Sequence, residues 1–356
     1  MSVPFEIGVL QLSMEPVTET AAMAKACEDA GFDCFWIAEA YPWWRKHGFE
    51  ARSSTALLAV IASQTKRIKL GWGIISPYTR HPVQIAMEAR IMQDLAGDRF
   101  LLGLGASKIF MKEIGEGEGE KVGPATVMKE SIEIVKGALQ GDAFEYQGKV
   151  FSASLPAMKA GAHAPCGVPP LYIAGTGPVM QKMAGSISDG LLTASITTPA
   201  FVRYSRKNME EGAKKVGRDA SGLILGSVIV GSIGRDSKLG KEGAREQAAM
   251  YLANKVQNIK GSADVLLDCA GLTFEELKPI ADGMERGGRK EAAKAVTDEI
   301  LRKVCAIAGS PDECLERVEE YRAAGCTHIM LEIWGDDRTG QAKLFGKTVL
   351  KQLKRS

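Results

Sequence analysis

Glycine and polar residues gather at three places where a strand-like run gives way to a loop. They are Gly71-Trp72-Gly73-Ile74-Ile75-Ser76-Pro77, Gly103-Leu104-Gly105-Ala106-Ser107-Lys108 and Ala174-Gly175-Thr176-Gly177-Pro178. Two glycines inside a strand pattern mark a bulge or a close approach of backbone to a ligand. The third string opens a helix, so its free backbone N–H groups and the helix dipole can hold a phosphate. Taken singly, each string reads equally as a tight turn. Together, at adjacent strand ends, they favour a cofactor that carries phosphate. Aromatic residues cluster once, at Tyr41-Pro42-Trp43-Trp44. That cluster is either a hydrophobic loop on a rim or a wall for a planar ring. Glu39, just before it, is a candidate general acid or base, with an ordinary salt bridge as the alternative. Arg80 reads as a substrate anchor or as one half of a rim ion pair.

Several other chemistries are not encoded. There is no Gly-x-Gly-x-x-Gly after the first strand-like run, no phosphate loop of the Gly-x4-Gly-Lys type and no Gly-x-Ser-x-Gly elbow. The four histidines (His47, His81, His163, His328) lack metal-type spacing, so no metal site is expected. Seven scattered cysteines without a Cys-x-x-Cys pair read as reduced, buried thiols. With 45 Lys and Arg against 43 Asp and Glu, the formal net charge is +2, which gives no basic stripe for nucleic acid and no polybasic handle for a membrane surface. No apolar run reaches membrane-spanning length, and the first residues carry no secretory signal, so a cytoplasmic protein with a small-molecule substrate is expected.

These residues must be held by a regular alternation of elements. Strand-like runs lie at Phe5–Leu12, Asp33–Ala38, Ile68–Ser76, Phe100–Gly105, Leu171–Ala174, Gly190–Ser195, Leu223–Ser232 and His328–Ile333. Many are continuously apolar, as parallel strands buried on both faces are. Helical patterns lie between them, and several start with proline in the first turn. Gly31 and Gly325 each stand where a helix should end in a left-handed cap, with a strand following at once. Eight strand–helix units over 356 residues fit one α/β domain, a (β/α)8 barrel, with a doubly wound open sheet as the rival. Residues 143–154 read as a β-hairpin excursion turning at Gln147-Gly148. Residues 238–308, long, helical and charged, read as an insertion between the seventh and eighth strands. Barrels keep their sites at the C-terminal ends of the strands, where the three glycine strings fall.

At these residues the chain resembles the luciferase-like superfamily of flavin and deazaflavin enzymes. It is most similar there to the coenzyme F420-dependent branch, and especially to methylenetetrahydromethanopterin reductases. The resemblance runs over essentially the whole length. It is carried by Ile74-Ile75-Ser76-Pro77-Tyr78-Thr79-Arg80-His81-Pro82, by Leu95–Gly105, by Pro170–Pro178, by Ala184–Gly190 and by Ile307–Glu313. It implies hydride transfer from reduced F420 to an electrophilic carbon, with an FMN-dependent monooxygenase, an F420-dependent alcohol or ketone reductase and a non-catalytic cofactor-binding protein as alternatives. It implies a non-prolyl cis peptide at Gly73–Ile74 beneath the ring, Ala106 and Ser107 along the ring edge, and Gly175, Thr176, Gly177 and Pro178 around the cofactor phosphate. Glu39 and Lys108 become the candidate catalytic groups. Gln11, Tyr41, Trp43 and Arg80 become the candidate substrate residues. A homo-oligomer, a dimer or a tetramer of dimers, is implied as well. Three positions depart from the family's pattern. Glu39-Ala40 stands where Asp-His is usual, Lys108 where an acid is frequent, and Leu10-Gln11 where the pterin reductases tend to carry Glu.

Overall fold

Continuous apolar runs become strands buried along their whole length: all six residues of Phe100–Gly105 are buried. The computed structural model describes residues 3–39, 50–106, 122–157, 167–194, 196–256, 262–304 and 306–354. Its strands are, in chain order, β1 (Glu6–Leu12), β2 (Cys34–Ala38), β3 (Lys69–Trp72), β4 (Phe100–Gly105), β5 (Phe144–Gln147) and β6 (Ser152–Leu155). There follow β7 (Leu171–Ala174), β8 (Gly190–Thr193), β9 (Ile224–Ile233), β10 (Ile307–Gly309) and β11 (His328–Ile333). All but β5, β6 and β10 pair in parallel in the order β11-β1-β2-β3-β4-β7-β8-β9, and β9 returns to β11. The result is a closed eight-stranded (β/α)8 barrel.

Helices α1 (Val17–Ala30), α2 (Ser54–Gln64), α3 (Pro82–Ala96), α4 (Pro124–Gln140), α5 (Pro178–Ile187) and α6 (Pro199–Lys215) surround the strands. α7 (Ser237–Val256), α8 (Ser262–Ala270), α9 (Phe274–Ala293) and α10 (Asp298–Lys303) connect β9 to β10, and α11 (Pro311–Ala323) and α12 (Arg338–Phe345) flank β11. Gly31 and Gly325 hold φ of 89° and 93°, the left-handed region in which a side chain would be strained, and each releases its helix into the next strand. Ser310 and Thr273 open α11 and α9 with capping boxes closed by Glu313 and Glu276. Among the described residues no helix is long and apolar enough to cross a membrane. The described cysteines, Cys27, Cys34, Cys269, Cys314 and Cys326, are free thiols.

Apart from shifts of one or two residues at strand ends, three features differ from the sequence-based expectation. The third strand ends at Trp72 rather than Ser76, because the chain bulges at a cis Gly73–Ile74 peptide and rejoins the sheet through an Ile75–Leu104 bridge. The segment expected to be helical through residue 308 instead ends in β10, which pairs with the overhanging end of β9 at Gly231–Ile233. The hairpin turn spans Gly148–Phe151 rather than two residues, because the buried Glu130 carboxylate accepts the N–H groups of Lys149, Val150 and Phe151 at 2.7, 3.0 and 2.9 Å.

Side chains alternate between two rows along each barrel strand. One row, including Ile7, Val9, Phe35, Ile37, Leu70 and Leu102, packs against the helices. The other, including Leu10, Trp36, Leu101, Tyr172, Leu192 and Met330, fills the barrel. Trp36 lies at its centre, edge-on to Tyr172 (centroids 5.8 Å apart) and to His328 (5.4 Å).

Candidate active site at the C-terminal mouth of the barrel

The glycines of the first two strings have jobs inside the protein. A Cβ on Gly71 would strike the Trp36 ring, and one on Gly103 would strike the Trp72 carbonyl. Gly105 makes room for the Ile74 side chain. These glycines therefore yield to neighbouring side chains and backbone, which the sequence alone does not separate from yielding to a ligand. Their combined effect still shapes the mouth. The bulge is stitched on one side to β2, with Gly73 N–H donating to the Ile37 carbonyl (2.9 Å) and Glu39 N–H to the Ile74 carbonyl (3.1 Å). On the other side it is stitched to β4, with Ile75 N–H donating to Gly103 and Gly105 N–H to Ile75, each at 3.1 Å. Gly73 and Ile74 thus face the apolar row of the barrel, next to Leu10, Met330 and Ala174.

The third string keeps an open backbone. Gly177 is the N-cap of α5, Pro178 takes the first turn, and among the described residues no side chain caps the helix. A Cβ on Gly177 would meet nothing, whereas Gly175 packs on Met180 of its own helix. The loop is braced from below by Gln181, a fully buried residue the sequence reading passed over. Its Nε2 donates to the Thr176 carbonyl and to Ser205 Oγ, both at 3.0 Å, and its Oε1 accepts from Asn208 Nδ2 at 2.8 Å. An uncapped helix N-terminus on a fixed loop is chemically suited to a phosphate.

Glu39 and Arg80 are brought together. Arg80 Nη2 donates to Glu39 Oε1 at 2.5 Å, and its Nη1 donates to Glu88 Oε2 at 2.9 Å. Thr55 Oγ1 donates to the same Glu88 oxygen at 2.6 Å. Arg80 therefore ties the end of β2 to α3. Burial pushes the Glu39 carboxyl above its ordinary range, and Arg80 only partly offsets this. Gln11 does not join them: it is buried, and it pairs in register with Ile37 in the row that faces the helices. Ala106 follows β4, packed at the edge of the helix-facing core. Tyr41, Trp43, Ser107 and Lys108 lie outside the described residues.

A second acid at the mouth gave no motif. Glu332, near the end of β11, is 2% exposed and stands in the barrel-facing row with His328 and Met330. Its one sequence signal is a charge inside the otherwise apolar run Ile329–Ile333. At the opposite, N-terminal face, Glu6 receives Lys69 Nζ and Cys34 Sγ (3.4 Å) and lies 3.4 Å from His328 Nδ1, while Trp36 Nε1 lies 3.1 Å from His328 Nε2. Polar contacts at that face hold the strands together, away from the end where barrels keep their sites.

The sequence profile of luciferase-like monooxygenases matches residues 1–328. The chain belongs to the luciferase-like family. It is 30% identical to the 5,10-methylenetetrahydromethanopterin reductase of Methanopyrus kandleri, with 98% of each chain covered. It is 27% identical to an F420-dependent glucose-6-phosphate dehydrogenase of Nocardia farcinica, over 98% of this chain and 97% of that one. The solved structure of the coenzyme F420-dependent tetrahydromethanopterin reductase of M. kandleri superposes with a TM-score of 0.85 at 28% identity, covering 98% of this chain and 99% of that one. An F420-dependent secondary alcohol dehydrogenase, at 18% identity and a TM-score of 0.74, shares the fold.

Proposed function

We propose that this luciferase-like protein is a coenzyme F420-dependent oxidoreductase whose acceptor is a methylene-pterin or methylene-folate, reduced to the methyl form. The full-length identity to methylenetetrahydromethanopterin reductases carries this reading. The mouth supports it. The open N-terminus of α5 at Gly175, Thr176, Gly177 and Pro178 suits the cofactor phosphate, and Gly73, Ile74, Ala106 and Ser107 would line its ring. When bound, F420 would supply the hydride, from a ring carbon that stands where flavin has its reactive nitrogen. The chain's own share is to seat the acceptor, exclude water and manage one proton. Glu39, a half-buried carboxyl pushed toward its protonated form, is suited to hold that proton, with Arg80 fixing its orientation. Lys108 is the second polar candidate, and Tyr41 and Trp43 are candidates for the acceptor's wall. Gln11 would contribute by supporting the end of β1 rather than by touching substrate.

Exposed Met87, Ile91 and Leu95 recur at helical spacing along one side of α3, an apolar stripe that suits a second copy of the chain. A homo-oligomer in the cytoplasm is part of this proposal, and light scattering reads its mass. The reaction itself is tested by mixing the protein with reduced F420 and methylenetetrahydromethanopterin or methylenetetrahydrofolate. Oxidation of F420 with formation of the methyl product is the expected result. Absence of turnover with either acceptor, in a protein that binds F420, would exclude this acceptor class.

A further inference from the structure

The proposed reaction leaves one buried acid at the mouth unused. The Glu332 carboxylate accepts from Tyr251 Oη at 2.5 Å and from Gln247 Nε2 at 3.3 Å to each oxygen. Gln247 and Tyr251 are four residues apart on α7, so one helix face presents both donors. Next to Tyr251, Met250 is 4% exposed and packs with Leu12 and Met14, at and beyond the end of β1, and with Met284 of α9. This face of α7 therefore lies across the ends of β11 and β1. The N-terminal half of α7 is held by ion pairs of Lys241 with Asp298 and Glu313 and of Arg245 with Asp298, while further along the helix the other buried contacts are apolar, Ala248, Ala249, Leu252 and Ala253 among them. Apolar contact is non-directional and by itself sets the rotation of this second half of the helix only loosely. A buried carboxylate with two side-chain donors sets it firmly, because a shift leaves a polar group unpaired. The arrangement answers why an acid occupies the barrel-facing row here.

We propose that Glu332 is a positioning residue for the acceptor substrate: by holding Tyr251 and Gln247, it fixes the wall of Met250, Tyr251 and Met284 at the barrel mouth. The inference rests on the proposed hydride transfer taking place at that mouth. Glu332→Gln keeps the shape of the side chain and removes its charge. Tyr251→Phe removes one hydroxyl and leaves the ring.

The test measures, for the full-length wild type, both single variants and the double variant, the Kd for F420, kcat and KM for methylenetetrahydromethanopterin with reduced F420, and the melting temperature. Each single variant is expected to raise the acceptor KM on the order of tenfold, with the F420 Kd held within about twofold. The double variant is expected to do no worse than the worse single one, since both remove the same contact. Acceptor KM values equal to wild type in both single variants overturn the proposal. So does a parallel loss of F420 affinity, acceptor affinity and melting temperature, which marks a scaffold role only. Should Glu332→Gln fail to fold, the Tyr251→Phe result decides alone. A wild type that turns over beside unaffected variants overturns the positioning role only. A wild type that binds no F420 overturns the reaction assignment and this role with it.

Discussion

Two carboxyls stand on the strands either side of β1, Glu39 at the end of β2 and Glu332 near the end of β11, and burial pushes both above the ordinary carboxylate range. Their partners set them apart. Glu39 is hydrogen-bonded by a guanidinium, while Glu332 is hydrogen-bonded by a phenol and an amide, with the Arg289 guanidinium acting on it without a hydrogen bond. Removing the Arg80 guanidinium therefore has a defined sign. In Arg80→Met the offset to burial is lost, so Glu39 titrates at a higher pH than in wild type. The limb of the kcat/KM profile that reports Glu39 is expected to move upward by about a pH unit. A profile that stays in place would put Glu39 outside the chemistry. Glu39 was legible from the sequence as an acid at a strand end and Arg80 as an anchor or half of a rim ion pair, but that the two pair with each other was not, because 41 residues separate them. Glu332 was less legible still, since its donors lie 81 and 85 residues away and only the fold of α7 across the barrel brings them near.

At the scale of elements, three buried side chains hold loops that no local pattern would hold. Glu28 of α1 accepts the N–H groups of Lys66, Arg67 and Ile68 at 2.8, 2.7 and 3.1 Å, and so sets the entry to β3. Glu130 does the same for the hairpin turn, and Gln181 for the loop before α5. Burial alone would raise the Glu28 carboxyl, but the three backbone donors win and lower it from 4.5 to about 2. The sign follows from linkage. Between those values the unfolded state binds more protons, so the stabilisation is complete above pH 4.5 and is lost as the pH falls toward 2. Glu28→Gln is expected to cost about 1.5–3 kcal/mol at pH 7. The difference from wild type should shrink as urea unfolding is repeated at successively lower pH, and a difference independent of pH would contradict this account. Gln181→Met removes the brace under Thr176 while keeping the helix. Its expected effect is on the order of a tenfold rise in the F420 Kd, read by titration, and an unchanged Kd would detach the loop from the cofactor. The strands and helices themselves were legible because their periods are strong. The carboxylate-held loops were not, because each acid reads as a surface charge on its own helix until its distant partner strand or turn arrives.

For the whole molecule, an even alternation of apolar runs and helices was enough to give the barrel, and the glycine strings were enough to point at its mouth. The sequence did not distinguish glycines that make room for Trp36 and Ile74 from glycines that make room for a ligand. The closed sheet draws that line. It leaves the backbone around Gly177 open toward the face where the cis Gly73–Ile74 bulge, Glu39 and Glu332 also converge. The central claim is that this face is an F420 site. The most direct measurement is a titration of the purified protein with F420 and, separately, with FMN, following the fluorescence of its five tryptophans. The account predicts saturable F420 binding at about micromolar Kd or tighter, with FMN at least a hundredfold weaker. Preferential FMN binding, or binding of neither, would contradict it.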